Sequence, residues 1–264
     1  MTETVLITGA TSGIGLEFAR QFAERGCDLV LVARRPGPLQ ETGAELRSTW
    51  GVGVETIDAD LLDDRGLARV IARLRGTAES EGGGSGGEAP GAVTVLVNNA
   101  GYGLALPFAD NTLEDEVDHL RIHIEVPLAL AHAALQSMRR RRSGTVINVA
   151  SVAGFTPRGT YGAAKAAMIS FSRWANLAYR SEGIRVTAVC PGFVRTEFHE
   201  RMGIDATGVP KMLWLDAGRV VRAALLDTAA GRAVSIPTFR YKALTAIART
   251  APSSVVARLA RRGR

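Results

Sequence analysis

The chain is poor in cysteine, in lysine and in long apolar runs. It has two cysteines among 264 residues, Cys27 and Cys190, and both fall in strand-like apolar segments, which argues against a disulfide framework or a cysteine-built metal site. No segment approaches the ~18 consecutive apolar residues of a membrane span. The opening MTETVLITG runs straight into a strand pattern without a leader, so a cytoplasmic location is expected. Aromatic residues make up 6% and do not alternate with basic ones. Despite a net charge of +6, the base-stacking stripe of a nucleic-acid binder is therefore missing. The run Arg139 to Arg142 reads as a solvated helix end, where cations complement the macrodipole. There is no HExxH, and no G-x-S-x-G elbow joins a strand to a helix, which disfavours a zinc protease and a serine hydrolase.

What is present is an ordinary globular composition, 46% apolar and 22% charged, arranged as short apolar runs alternating with segments of helical period. That alternation predicts an α/β fold, doubly wound and Rossmann-type, with a mostly parallel seven-stranded sheet and helices on both faces. Strands are expected at 4–8, 27–33, 52–60, 93–98, 144–150, 185–190 and 233–237. Helices are expected at 14–25, 37–49, 64–75, 112–141, 160–181 and 217–229. One domain spans 1–237, and a basic amphipathic tail follows at 238–264. Residues 77–92, rich in glycine, serine and acid, read as a flexible loop inside the domain because the strand pattern resumes in phase after them. Pro127 lacks a backbone donor, so a break is expected near residues 123–127 of the fourth helix.

The first strand runs into TGATSGIG. Gly9, Gly13 and Gly15 permit a tight turn and close backbone approach to a pyrophosphate at a helix N-terminus, where free N–H groups favour an anion. At a first strand–helix junction this points to a dinucleotide. The second strand ends LVARR. An acid there would accept from a ribose 2′-hydroxyl, whereas arginine suits a 2′-phosphate, so Arg34 and Arg35, supported by Thr11 and Ser12, favour NADP over NAD.

The segment SVAGFTPRGTYGAAKAAM contains Lys165, one of only three lysines, four residues after Tyr161. On a helix these two share a face, with small residues between them. An ammonium so placed is expected to lower the phenol pKa by roughly 1–3 units, towards the range for proton exchange. His119 and His123 are also four apart, a zinc-gripping spacing, but no third ligand is evident and no metal is expected.

TGATSGIG, NNAG (98–101), the set Ser151, Tyr161 and Lys165, and PGFVRT (191–196) together resemble the short-chain dehydrogenase/reductase family over residues 1–237. The resemblance implies an NADP(H)-dependent oxidoreductase that interconverts an alcohol and a carbonyl. In it Tyr161 is the acid/base, Ser151 holds the reacting oxygen and Lys165 donates to the nicotinamide ribose. It further implies that Ile14 joins the pyrophosphate turn and Asp60, beside Leu61, touches the adenine. Asn98, Ala100 and Gly101 line the adenosine side, and Pro191, Gly192, Val194 and Thr196 reach the nicotinamide end. Two features depart from the pattern. His123 stands where the family has an asparagine in a proton relay; it is either a relay histidine or a core histidine satisfying groups freed by Pro127. The stretch from Ser151 to Tyr161 is about three residues short, which puts the position of Ser151 in question.

Residues 197–218 would form a lid over the substrate, with Phe198, Met202, Met212, Leu213 and Trp214 either making it apolar or simply packing over the sheet edge. An apolar lid suits a hydrophobic alcohol or carbonyl. The tail carries Tyr241, Leu244, Ile247 and Ala248, then Val255, Val256 and Leu259, at helical intervals. That stripe fits a membrane surface, the chain's own domain or a second subunit, and a homo-oligomer is expected. Rival readings are a turnover-free NADP(H) sensor or interaction module on the same fold, and a basic module whose binding to nucleic acid or membrane is salt-sensitive.

Overall fold

The computed structural model describes residues 2–76, 90–196, 210–251 and 256. Most of the glycine-rich loop, the lid positions Phe198 and Met202, and the tail positions Val255 and Leu259 lie outside the described residues. The strands are β1 (Thr4–Thr8), β2 (Asp28–Ala33), β3 (Val54–Asp58), β4 (Val95–Asn98), β5 (Gly144–Val149), β6 (Ile184–Val189) and β7 (Val234–Ser235). They form one parallel sheet in the order β3-β2-β1-β4-β5-β6-β7. The helices are α1 (Gly13–Ala23), α2 (Pro36–Trp50), α3 (Asp64–Arg75), α4 (Leu113–Leu120), α5 (Val126–Arg141), α6 (Gly159–Tyr179), α7 (Ala217–Ala229) and α8 (Phe239–Thr250).

Strand periodicity divides the core in two. Val5, Ile7, Leu29 and Leu31 face Phe18 and Phe22 of α1, Leu39 and Leu46 of α2, and Val220 and Val221 of α7. The intervening Leu6, Val30 and Val32 face Val70 of α3 and Leu130 and Met138 of α5. Because side chains alternate across a strand, continuous apolar runs satisfy both layers. The order reverses at β1, whose neighbours are β2 and β4, so the crevice beyond their C-terminal ends is the switch point where such sheets bind ligands.

Both edge strands are shorter than expected. β3 pairs only with β2 and ends with it, at Ala33 opposite Asp58. β7 pairs only through Val234 and Ser235, and Thr238 then caps α8, its hydroxyl accepting from the Tyr241 N–H. The helix over 112–141 is broken, as expected near 123–127, by a π-helical turn, Arg121–Glu125, with Pro127 in the first turn of α5. Proline has no N–H to give back to the preceding turn, and the extra residue of the π-turn takes up the mismatch.

Candidate active site

A groove of about 1140 Å³ runs along the C-terminal ends of the strands. Its phosphate end is built by Gly9 and Gly13, both at positive φ (68° and 54°), where a side chain would be strained. Ser12 precedes α1 in extended conformation and makes no side-chain cap bond, so the first N–H groups of α1 keep their capacity for an anion. Gly15 lets the turn close: a Cβ there would overlap the Gly9 carbonyl and the Asn99 amide. Thr11, Ser12, Ile14, Arg34, Arg35, Asp60 and Leu61 all line the groove, as do Ala100, Gly101, Pro191, Gly192, Val194 and Thr196.

Asn98 departs from its expected place beside the adenosine. Its amide turns inward, donating to the Pro127 carbonyl at 3.1 Å and to Asn148 Oδ1 at 2.9 Å. Asn148 in turn donates to Ser172 Oγ at 2.9 Å. With both amide hydrogens paired there, the side chain is held in the core. Asn99 lines the groove in its stead and donates to the Thr8 carbonyl at 2.9 Å. Thr8 Oγ1 accepts from the N–H groups of Asn99 and Ala100, both at 3.0 Å, tying β1 to β4 at the switch point. The second asparagine of NNAG was the available signal.

At the other end Ser151, Tyr161 and Lys165 meet on one wall. Ser151 ends the β5 run and caps the short turn Val152–Phe155, its Oγ accepting from Ala153 N–H at 3.1 Å. A hydrogen bond joins Ser151 to Tyr161, so the shortened stretch between them still brings the two hydroxyls together. Lys165, only 6% exposed, donates to the Val149 carbonyl at 2.8 Å, with Nζ 5.6 Å from the Tyr161 ring centroid. Burial pulls its pKa down to about 8.

The phenol differs from the sequence expectation: burial holds its pKa above the usual value. What pulls it the other way is first the Ser151 hydrogen bond and then the Arg158 guanidinium. With the Lys165 ammonium committed to a backbone carbonyl, desolvation of the phenolate dominates, and Tyr161 is a neutral O–H at pH 7.

Behind Tyr161 sit two buried imidazoles. His123 lies in the π-turn, its ring edge-on to Tyr161 at 5.6 Å and to His119 at 4.6 Å. Burial, and then Lys165, hold its pKa well below the usual value, so the ring is neutral. Nε2 lies 2.7 Å from the Tyr102 carbonyl, which only accepts; Nε2 therefore carries the hydrogen, and the buried Nδ1, which has no hydrogen-bond partner, is an acceptor. A Cβ at Gly101 would overlap His123 Cε1, so this histidine requires that glycine. Among the described residues no group of three His, Cys, Asp or Glu side chains is placed to hold a metal ion.

The substrate side contains residues whose role the sequence did not disclose. Tyr241 of α8 packs its ring against Gly192, where a Cβ would overlap it. Its hydroxyl accepts from Phe193 N–H at 3.1 Å and donates to the Leu213 carbonyl at 2.7 Å. The first part of the tail thus folds onto its own domain. Of the expected lid residues that are described, Leu213 lines the groove, Trp214 packs on Phe193 and Met212 is exposed.

The glycine cradle, the uncapped helix start, the arginines after β2 and the Tyr-Lys wall together fit a nicotinamide dinucleotide. Known proteins agree on the class. The sequence matches the family model "short chain dehydrogenase" over residues 3–206. It is 36% identical over 203 residues to sulfoacetaldehyde reductase 2 of Chromohalobacter salexigens, covering 75% of each chain. The fold superposes with a TM-score of 0.81 on a short-chain dehydrogenase from Sphingobium yanoikuyae in complex with NADPH, at 37% identity over 92% of each chain. It superposes at 0.77 on a bulky-bulky ketone specific alcohol dehydrogenase from Comamonas testosteroni, with 31% identity over 92% of this chain and 90% of that one. With four motifs set around one groove and these matches over most of its length, the chain belongs to the short-chain dehydrogenase/reductase family of oxidoreductases.

Proposed function

We propose that the protein is an NADP(H)-dependent oxidoreductase that interconverts a hydroxyl and a carbonyl on an apolar small molecule, with Tyr161 as acid/base. The observation that carries this reading is the hydrogen-bonded pair Ser151–Tyr161 in the same groove as an anion-ready helix start and two arginines. When bound, the nicotinamide supplies or accepts a hydride.

In the reductive direction the Tyr161 hydroxyl gives its proton to the carbonyl oxygen as that oxygen gains charge. A pKa held up by burial keeps the proton on Tyr161 at neutral pH until the oxygen takes it. Ser151 accepts from Ala153 N–H at 3.1 Å and rests its own O–H on the Pro191 carbonyl at a long 3.5 Å, a contact weak enough for the O–H to turn and stabilise the same oxygen. Lys165 is fixed by one of its three donors on Val149 and retains the others for the ribose hydroxyls. For His123 to act as a relay, its Nδ1, open as an acceptor beside Tyr161 and Lys165, first takes a proton from the Lys165 ammonium and then passes it to the Tyr161 phenolate left by the reduction. Arg34 and Arg35 carry the preference for NADP, standing where an acid would serve NAD. The apolar substrate class draws support from the bulky-bulky ketone specificity of the Comamonas relative and from Leu213 in the groove.

The test is NADPH oxidation against a panel of apolar ketones and aldehydes. Wild-type turnover is expected, and Tyr161→Phe should lower kcat about 10²–10⁴-fold. NADPH binding with no turnover anywhere on the panel would favour a sensor instead.

A further inference from the structure

The family match ends at residue 206, yet helix α8 lies well beyond it and forms one side of the groove. We propose that α8 is the specificity wall of the substrate site and that it receives the apolar arm of the carbonyl substrate, an alkyl or aryl chain running along the helix away from Tyr161. This rests on the proposed ketone-reducing function and deepens it.

Three observations carry the inference. The first is continuity: Leu244, Ile247, Ala248, Ala251 and Val256 line the same groove as Tyr161, Ser151 and Leu213. The helix packs on the turn Val152–Phe155 that directly follows Ser151, so the wall begins beside the reacting end. The second is that Leu244 and Ile247 are 47% and 57% exposed although they face a concavity. Large apolar side chains left wet in a groove mark a binding surface more strongly than scattered ones on a convex face.

The third is that the polar atoms on this wall are already satisfied. Thr245 Oγ donates to the Tyr241 carbonyl at 2.8 Å, and the Tyr241 hydroxyl is held between Phe193 N–H and the Leu213 carbonyl. The helix cations do not line the groove: Arg240 donates to the Met212 carbonyl and Arg249 lies over the Phe155 ring. A polar or charged arm would lose its hydration here without regaining partners, whereas an apolar arm loses nothing. From Leu244 to Ala251 the wall is about 10 Å long at 1.5 Å per residue, room for a medium chain.

Two variants test this in the NADPH-loaded full chain. Ala248→Phe fills the wall and Ile247→Ser makes it polar. The first readout is kcat/KM for 2-decanone divided by that for 2-butanone. The second, independent of turnover, is the thermal shift that 2-decanone produces on the NADP-saturated protein. We expect the ratio to fall about tenfold or more in Ala248→Phe and several-fold in Ile247→Ser, with the 2-decanone shift reduced in both. A ratio and a shift that both variants leave within twofold of wild type would overturn the wall. If wild type reduces neither ketone, the proposed function fails, and the thermal shift still decides whether α8 binds the apolar arm.

Discussion

Arg34 is an exposed side chain on the rim of the groove, one residue past the end of β2. A guanidinium there meets a 2′-phosphate in a charge-assisted pair, whereas a bare 2′-hydroxyl offers it no anion. Arg34→Ala should therefore raise the Kd for NADPH about 10–100-fold and leave that for NADH nearly as it was, read by fluorescence titration of both; equal losses would refute the NADP preference. His123 makes the second prediction at this scale. Its neutral ring is tautomer-locked by Tyr102, so His123→Ala removes the acceptor next to Tyr161 and should lower kcat by at least tenfold while moving its pH profile. An unchanged profile assigns the ring to packing alone. The sequence disclosed that a titratable group stood at this point of the helix, because the spacing to its neighbours was countable. It could not disclose that Tyr102, 21 residues upstream, would supply the carbonyl, since that contact is made only when the β4–α4 connection folds over the π-turn.

At the scale of elements, the strands were legible because a parallel strand buried on both faces is a bare apolar run, and β1 and α3 fall on their expected bounds. The break at Pro127 was legible too, from missing donor chemistry. The α8 stripe was visible as a pattern, but a stripe tells which face of a helix is buried and not what lies against it. Here the answer is Gly192, which has no side chain and so leaves room for the Tyr241 ring. That hydroxyl bridges two chain segments, the turn after β6 and the one before α7. Tyr241→Phe keeps the ring and strips both bonds, leaving a half-buried N–H and C=O to find new partners. It should cost about 1–3 kcal/mol of stability in urea unfolding and raise KM for the ketone more than it changes kcat, because α8 loosens from the substrate side while Tyr161 is untouched. A stability change below a few tenths of a kcal/mol would mean that the ring, not the hydroxyl, holds the helix.

Across the whole molecule the Lys165 charge opposes folding, and this gives a pH dependence with a defined sign. Its folded pKa is about 8 against 10.5 for an unperturbed lysine. Below pH 8 the amine is protonated folded and unfolded alike, and the folded protein bears the full desolvation of a buried ammonium. Between about 8 and 10.5 the unfolded chain binds the extra proton, so this group makes stability rise with pH across that window. The difference corresponds to ~3 kcal/mol at 1.36 kcal/mol per pKa unit. Cys27 and Cys190, whose thiols burial pushes up to about 11 and about 12, act in the opposite sense above pH 9, so the lysine contribution must be read as a difference between two proteins. Lys165→Met removes it while keeping the apolar stem. At pH 7 the variant should be more stable than wild type by ~1–3 kcal/mol, the smaller figure allowing for the bond lost to Val149, and the gap should close as pH rises from 8 to 10.5. Urea titrations of both apoproteins at several pH values measure this directly. A gap that stays flat over that range would mean that the ammonium is not desolvated in the folded protein. A gap that closes would identify a charge kept in the core against stability, as expected of a group retained for the cofactor and not for the fold.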